Sequence, residues 1–160
     1  MLALVRALVY ATVFVGLLLV ILPRQILTVS GIVRPAGIGS WQIAGLAILV
    51  VGGAVALWCI LTFALVGKGT PAPFDPPRKL VVAGPYRWVR NPMYIGAGGV
   101  LVGTALFYES AALVAFAAGF LLAAHLFVVF YEEPTLERTF GAQYADYRNA
   151  VQRWVPTWRS

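Results

Sequence analysis

Two polar stretches interrupt an otherwise apolar chain, and they hold most of its residues capable of chemistry. The first, residues 75–94, carries Arg78, Lys79, Arg87, Arg90 and Asn91 among the aromatic side chains Tyr86, Trp88 and Tyr94. The second, residues 131–140, opens with the adjacent carboxylates Glu132 and Glu133. Fixed cations, fixed carboxylates and aromatic walls in one small volume suit a zwitterionic amino acid with a flat aromatic appendage. An Arg or a set of helix N-terminal amides would hold its carboxylate, and a Glu its ammonium. The same charges can equally be surface ion pairs that steady a loop, worth about 0–1 kcal/mol each. His125 stands seven residues before Glu132, on the same side of a regular helix. An ionisable group in an apolar helix is a functional suspect. It can deprotonate an amine or a thiol, or it can hydrogen-bond a neighbouring helix as a neutral ring.

These residues need a frame, and composition says which kind. The chain is 61% apolar and 11% charged, against roughly 25% charged in an average soluble domain. Its 16 Gly and 10 Pro are common company for membrane helices. Cys59 is the single cysteine, so no intramolecular disulfide braces the fold. The net charge of +6 is accounted for by topology and anionic lipid headgroups, with no nucleic acid required. No Cys/His cluster suggests a metal. Four apolar stretches cover residues 3–22, 43–66, 93–107 and 111–130. A helix needs about 20 residues to cross a hydrocarbon layer of ~30 Å, so the third falls short. Leu22-Pro23-Arg24-Gln25 is no small-residue cleavage site, so the first stretch reads as a retained helix. The expected fold is an all-α membrane protein of four transmembrane helices, the last two a hairpin, with a C-terminal amphipathic helix. One domain spans 1–160, with two membrane helices in 1–66 and the site-bearing core in 67–160.

With four spans, the N-terminus, the 67–92 loop and the C-terminal tail share one side. Arg6, Lys68, Arg78, Lys79, Arg87, Arg90, Arg138, Arg148, Arg153 and Arg159 fall there, against only Arg24 and Arg34 opposite. The positive-inside rule makes that side cytoplasmic. Tyr108-Glu109-Ser110 is too short a turn for anything but an antiparallel hairpin, with Ser110 placed to cap the fourth helix. Asn91 is placed to cap the third, with Pro92 as its first residue. The hairpin sets Arg87, Arg90 and Asn91 beside Glu132 and Glu133. A third helix over 92–107 reaches only ~24 Å, so the Arg90-Asn91-Pro92 corner is expected below the membrane surface. Irregular backbone at that depth requires protein or a wet cavity around it. Gly96, Gly99 and Gly103 suit close helix packing. Phe140, Tyr144, Tyr147, Val151 and Trp154 alternate in spacings of four and three, the apolar stripe of one amphipathic helix. That helix can lie on the membrane, cover the pocket, or do both.

The ordered landmarks are Lys79-Leu80-Val81, Gly84-Pro85-Tyr86, Arg90-Asn91-Pro92-Met93-Tyr94, Glu132-Glu133-x-x-Leu136 and Phe140-Gly141-x-x-Tyr144-x-x-Tyr147. Over residues 78–156 the chain resembles the isoprenylcysteine carboxyl methyltransferase and phospholipid methyltransferase superfamily of integral membrane enzymes. The resemblance implies S-adenosyl-L-methionine as cofactor, enclosed by the last helices and the C-terminal segment, and a lipophilic methyl acceptor drawn from the lipid bilayer. By position, Arg78, Lys79, Leu80, Val81, Tyr86, Arg90, Asn91, Pro92, Met93 and Tyr94 look like cofactor contacts. Glu132 looks like the acidic contact, with Glu133 beside it, and His125 and Val128 fall where the acceptor would lie. Two departures matter. Asn91 replaces the usual His, so it donates a hydrogen bond but does not titrate. Val128 replaces the Arg that meets a prenylcysteine carboxylate, which argues against that acceptor and leaves a phospholipid amine or a small thiol. A non-catalytic scaffold is the reading of another class, and Glu132, Tyr94 and Tyr86 together speak against it.

Overall fold

The computed structural model describes residues 13, 15–32, 35, 37–67 and 79–157. All regular structure among them is helical. A π turn, Gly16–Ile21, leads into α1 (Leu22–Val29). Next come α2 (Ser40–Thr62), which runs on as a π turn over Phe63–Gly67, and α3 (Pro92–Phe107). The last three are α4 (Ala111–Phe127), α5 (Glu133–Phe140) and α6 (Ala142–Ala150). A π turn, Val128–Glu132, joins α4 and α5 into one 30-residue helix, Ala111–Phe140.

That helix and α2 are long and apolar enough to cross a membrane, whereas Gly16–Val29 and Pro92–Phe107 are apolar but shorter. Among the described residues, two helices of full spanning length therefore stand where the sequence suggests four spans. The third stretch is cut short by Pro92 at one end and the Tyr108–Ser110 turn at the other. The first stretch, residues 3–22, lies largely outside the described residues, and its helix continues past residue 22 to Val29. In the two long helices only 17% and 22% of the apolar window is buried by protein. Core helices of a soluble domain would be covered. Here Trp41, Leu46, Val51 and Leu57 of α2, and Val114 and Leu122 of α4, point outward, as in a chain whose solvent is lipid.

Both π turns that enter a shorter helix are followed, two residues after their last, by a proline: Ile21 by Pro23 and Glu132 by Pro134. A proline inside a helix has no N–H and crowds the carbonyl four residues back. Widening the preceding turn relieves the crowding without breaking the helix. In the second case the N–H of Glu133 reaches back five residues to the carbonyl of Val128.

The central contact is between α2 and α3, which pack through glycine. Gly45 faces Gly103 and Gly52 faces Gly96, each pair so close that a Cβ on Gly45 or Gly52 would stand 2.7 Å from the partner's carbonyl oxygen. The small residues at 96, 99 and 103 thus serve packing, and their partner is α2, while Gly98 on the other side of α3 meets Leu121 of α4. At the far end, Gln42 ties the start of α2 to the α3–α4 turn: its Nε2 donates to Glu109 at 2.6 Å. Ser110 caps α4 as expected, its Oγ accepting from the N–H of Leu113 at 3.3 Å in a buried setting. Ser110→Ala is expected to cost about 1 kcal/mol, read as a lowered apparent melting temperature in detergent.

Candidate functional site

The lead-in to α3 is packed, not loose. Gly84 turns the chain with φ 57° where a Cβ would stand 2.7 Å from Thr62 Oγ1. This seats a 3-10 turn, Gly84–Arg87, on the end of α2. Val81 and Tyr86 bury against Cys59 there. Asn91 and Pro92 are buried at the corner.

The C-terminal segment covers that corner. The stripe from Phe140 to Trp154 is not one helix: Gly141 (φ 51°) separates α5 from α6, and α6 ends at Ala150. Val151 is extended and the chain beyond it irregular, because its backbone is taken up elsewhere. The N–H of Arg90 donates to Gln152 O at 2.9 Å, and the N–H of Thr157 to Trp88 O at 2.7 Å. Asn91 occupies the N-cap position of α3 but makes no cap hydrogen bond. Its Nδ2 donates instead to Arg153 O at 3.2 Å. The apolar residues of the stripe still face inward: Tyr144 and Val151 are buried, and Tyr147 donates its hydroxyl to Tyr86 O at 2.7 Å. Burial pushes the phenols of Tyr86, Tyr144 and Tyr147 above the ordinary tyrosine range, so all three remain neutral donors.

The two adjacent glutamates part company. Glu133 Oε1 accepts from Arg153 Nε at 2.8 Å and pairs with Arg90 Nη1 at 3.0 Å, while Oε2 accepts from Arg153 Nη2 at 2.8 Å. That hydrogen bonding raises the pKa of Arg153 further. Arg90 Nη1 also donates to the Tyr144 hydroxyl at 3.1 Å. Glu132 turns the other way; among the described residues it accepts only the Tyr94 hydroxyl, at 3.0 Å, and makes no ion pair. One further atom stands out. Arg90 Nε is buried and has no acceptor among the described residues.

The π turn explains the split. It adds one residue to the turn between His125 and the acids, so Glu133 takes the side of the helix that a regular count assigns to Glu132. His125 accordingly shares its face with Glu133 and meets the tail: Trp154 Nε1 donates to His125 Nδ1 at 3.1 Å. Trp154 also packs edge-on against Tyr94, with ring centroids 6.5 Å apart.

The structure therefore brings together Arg90, Asn91, Tyr94, Glu132, Glu133 and, through Trp154, His125. Met93 and Tyr86 pack with Cys59 behind them. Val128 is fully buried. Lys79 is exposed and Leu80 half-buried at the start of the lead-in, Arg87 is exposed, and Arg78 lies outside the described residues. Arg153, Trp154 and Tyr144 are site residues that the sequence reading left on a lid or an interfacial stripe. No local signal marks Arg153, whose partner Glu133 lies 20 residues away.

Against known proteins, the family model of phospholipid methyltransferases matches residues 40–143. This covers α2 to the first two residues of α6, and so the site residues other than Tyr144, Arg153 and Trp154. No curated protein and no solved structure matches the chain. With most of its length matched, and with the polar corner inside the match, the chain belongs to the phospholipid methyltransferase family, part of the integral membrane methyltransferase superfamily.

Proposed function

We propose that this protein is an S-adenosylmethionine-dependent methyltransferase embedded in the membrane as one domain over residues 1–160, acting on a lipophilic acceptor from the bilayer. In this reading four helices span the bilayer and both termini are cytoplasmic, as the basic residues argue. One observation carries it: beside a shared corner stand a carboxylate, Glu132, and a buried guanidinium N–H, Arg90 Nε; among the described residues the first meets a single phenol and the second no acceptor. A ligand with an ammonium and a carboxylate supplies both missing partners, so the donor set fits the amino-acid end of S-adenosylmethionine. When bound, that molecule supplies an electrophilic methyl group on a sulfonium.

The chain's own part is to hold, orient and dry. Glu132 and Tyr94 would take the ammonium and Arg90 Nε the carboxylate. Arg78 to Val81, Tyr86 and the Asn91–Tyr94 run would line the remainder. Glu133, saturated by two guanidinium groups, positions Arg90 and fastens the tail. The tail excludes water from the reacting groups, and a fixed corner aligns donor with acceptor. Val128, buried and apolar, leaves no cation on its turn for an acceptor carboxylate, so an amine or thiol is methylated.

The test uses the full-length protein in detergent. S-adenosylhomocysteine is expected to bind in a calorimetric titration. Glu132→Ala is expected to weaken binding about 10- to 100-fold, the worth of one hydrogen bond to a charged group, with the melting temperature of the free protein held. Absence of binding to the intact protein would overturn the proposal.

A further inference from the structure

We infer that His125 is a fixed hydrogen-bond donor to an oxygen of the methyl acceptor, and not the base that its position suggests. An indole N–H can only donate. Its partner at 3.1 Å is His125 Nδ1, which must therefore present a lone pair. A neutral imidazole with a bare Nδ1 carries its proton on Nε2. Nδ1 is occupied and Nε2 is a donor, so the neutral ring has no free lone pair with which to take a proton from an amine or thiol.

Among the described residues the Nε2–H meets no acceptor, and it is not sealed in the protein, because Arg90 Nε is the only buried, unmatched side-chain polar atom there. His125 lies on the apolar helix about 10 Å along the axis from Glu132. Water is scarce there, and an unmatched N–H in hydrocarbon is costly. Among the groups that a bilayer lipid could bring to this N–H, ester and phosphate oxygens are the strong acceptors. A simple alkyl amine or thiol offers only the atom to be methylated. Trp154 acts through His125 as a positioning residue: it fixes the tautomer, and its ring also lies against Tyr94, the partner of Glu132. The donor role toward the acceptor rests on the methyltransferase reading; the tautomer does not.

His125 is the only histidine, so protein labelled with 15N-histidine gives one pair of ring signals. At neutral pH the full-length protein is expected to show a neutral ring protonated on Nε2, and Trp154→Phe a mixture of tautomers. An Nδ1-protonated ring or an imidazolium in the intact protein overturns the inference, whatever its activity. Phosphatidylethanolamine is expected to shift the Nε2 signal and hexadecylamine to leave it in place; equal shifts overturn the inference. Hexadecylphosphoethanolamine, which keeps the phosphate and lacks the esters, identifies the oxygen: a shift assigns phosphate, no shift the ester. In methyl-transfer assays His125→Leu is expected to raise KM for phosphatidylethanolamine about three- to tenfold, and to raise it more than KM for hexadecylamine. His125→Gln, which keeps an N–H donor, is expected to restore KM. Collapse of kcat in His125→Gln for every acceptor restores the base and removes the donor. Loss of S-adenosylhomocysteine binding in the intact protein fails the methyltransferase reading alone, and the ring signals still decide the tautomer.

Discussion

Glu133→Ala is expected to destabilise the polar end of the protein by about 3–5 kcal/mol and to release the C-terminal segment. Among the described residues its carboxylate is the only acidic partner of two guanidinium groups. The Arg90 side chain is 9% exposed and that of Glu133 11%, so removing the acid leaves Arg90 charged, buried and uncompensated. Arg153, 33% exposed, turns to water at little cost and stops holding the tail. Two measurements check this: a lowered melting temperature in detergent, and new proteolysis C-terminal to Gly141. The sign depends on which partner is lost. Arg90→Met combined with Glu133→Leu removes both buried charges and is expected to cost much less than Glu133→Ala alone, because an apolar pair leaves nothing stranded. A double variant as unstable as the single one would mean that packing, not charge, is what Glu133 provides. The exposed pair Arg148–Glu137, 3.3 Å apart, is the contrast: breaking it is expected to cost about 0–1 kcal/mol.

The adjacency of Arg90 to the glutamates was legible in the sequence, because a three-residue turn admits only a hairpin and the hairpin fixes which ends meet. The bounds of α3 were legible for a similar reason, since Pro92 and Ser110 are local signals that need no tertiary context. Which glutamate meets which cation was not. Counting at 3.6 residues per turn places Glu132 beneath His125, and the π turn before Pro134 moves Glu133 there instead. Pro134 was the visible warning, yet a proline announces a disturbance without saying whether the helix kinks, ends or widens. The tail misled in the opposite way. Its four-and-three spacing is a true record of inward-facing residues, and Tyr144, Val151 and Trp154 do turn inward. Spacing carries no information about Gly141 at positive φ, or about the backbone partners that Arg90 and Trp88 offer to Gln152 and Thr157. Asn91 stands at the N-cap position for local reasons, but its amide serves a carbonyl 62 residues away, and no local rule reports that.

The same substitution made at two glycines is expected to act with opposite sign. At Gly103, Ala places a Cβ 2.5 Å from the backbone nitrogen of Leu49 and 2.6 Å from the carbonyl oxygen of Gly45. Both are backbone atoms of a helix, so no rotamer change relieves the overlap, and α2 and α3 must separate along their length. Overpacking costs typically about 1–3 kcal/mol and more where the neighbours cannot yield, so Gly103→Ala is expected at or beyond the upper end. At Gly119 nothing lies within 4 Å of the added Cβ, and the residue sits inside α4. Ala there restricts the unfolded chain and favours the helix, a gain of roughly 0.5–1 kcal/mol. Melting temperatures of the two variants in one detergent should therefore bracket the parent. Because α3 carries Asn91, Met93 and Tyr94 at its N-terminal end, a displaced α3 also moves the site. Gly103→Ala is thus expected to weaken S-adenosylhomocysteine binding from several turns away, while Gly119→Ala leaves it unchanged. Equal behaviour of the two variants would mean that the α2–α3 contact does not set the position of the corner.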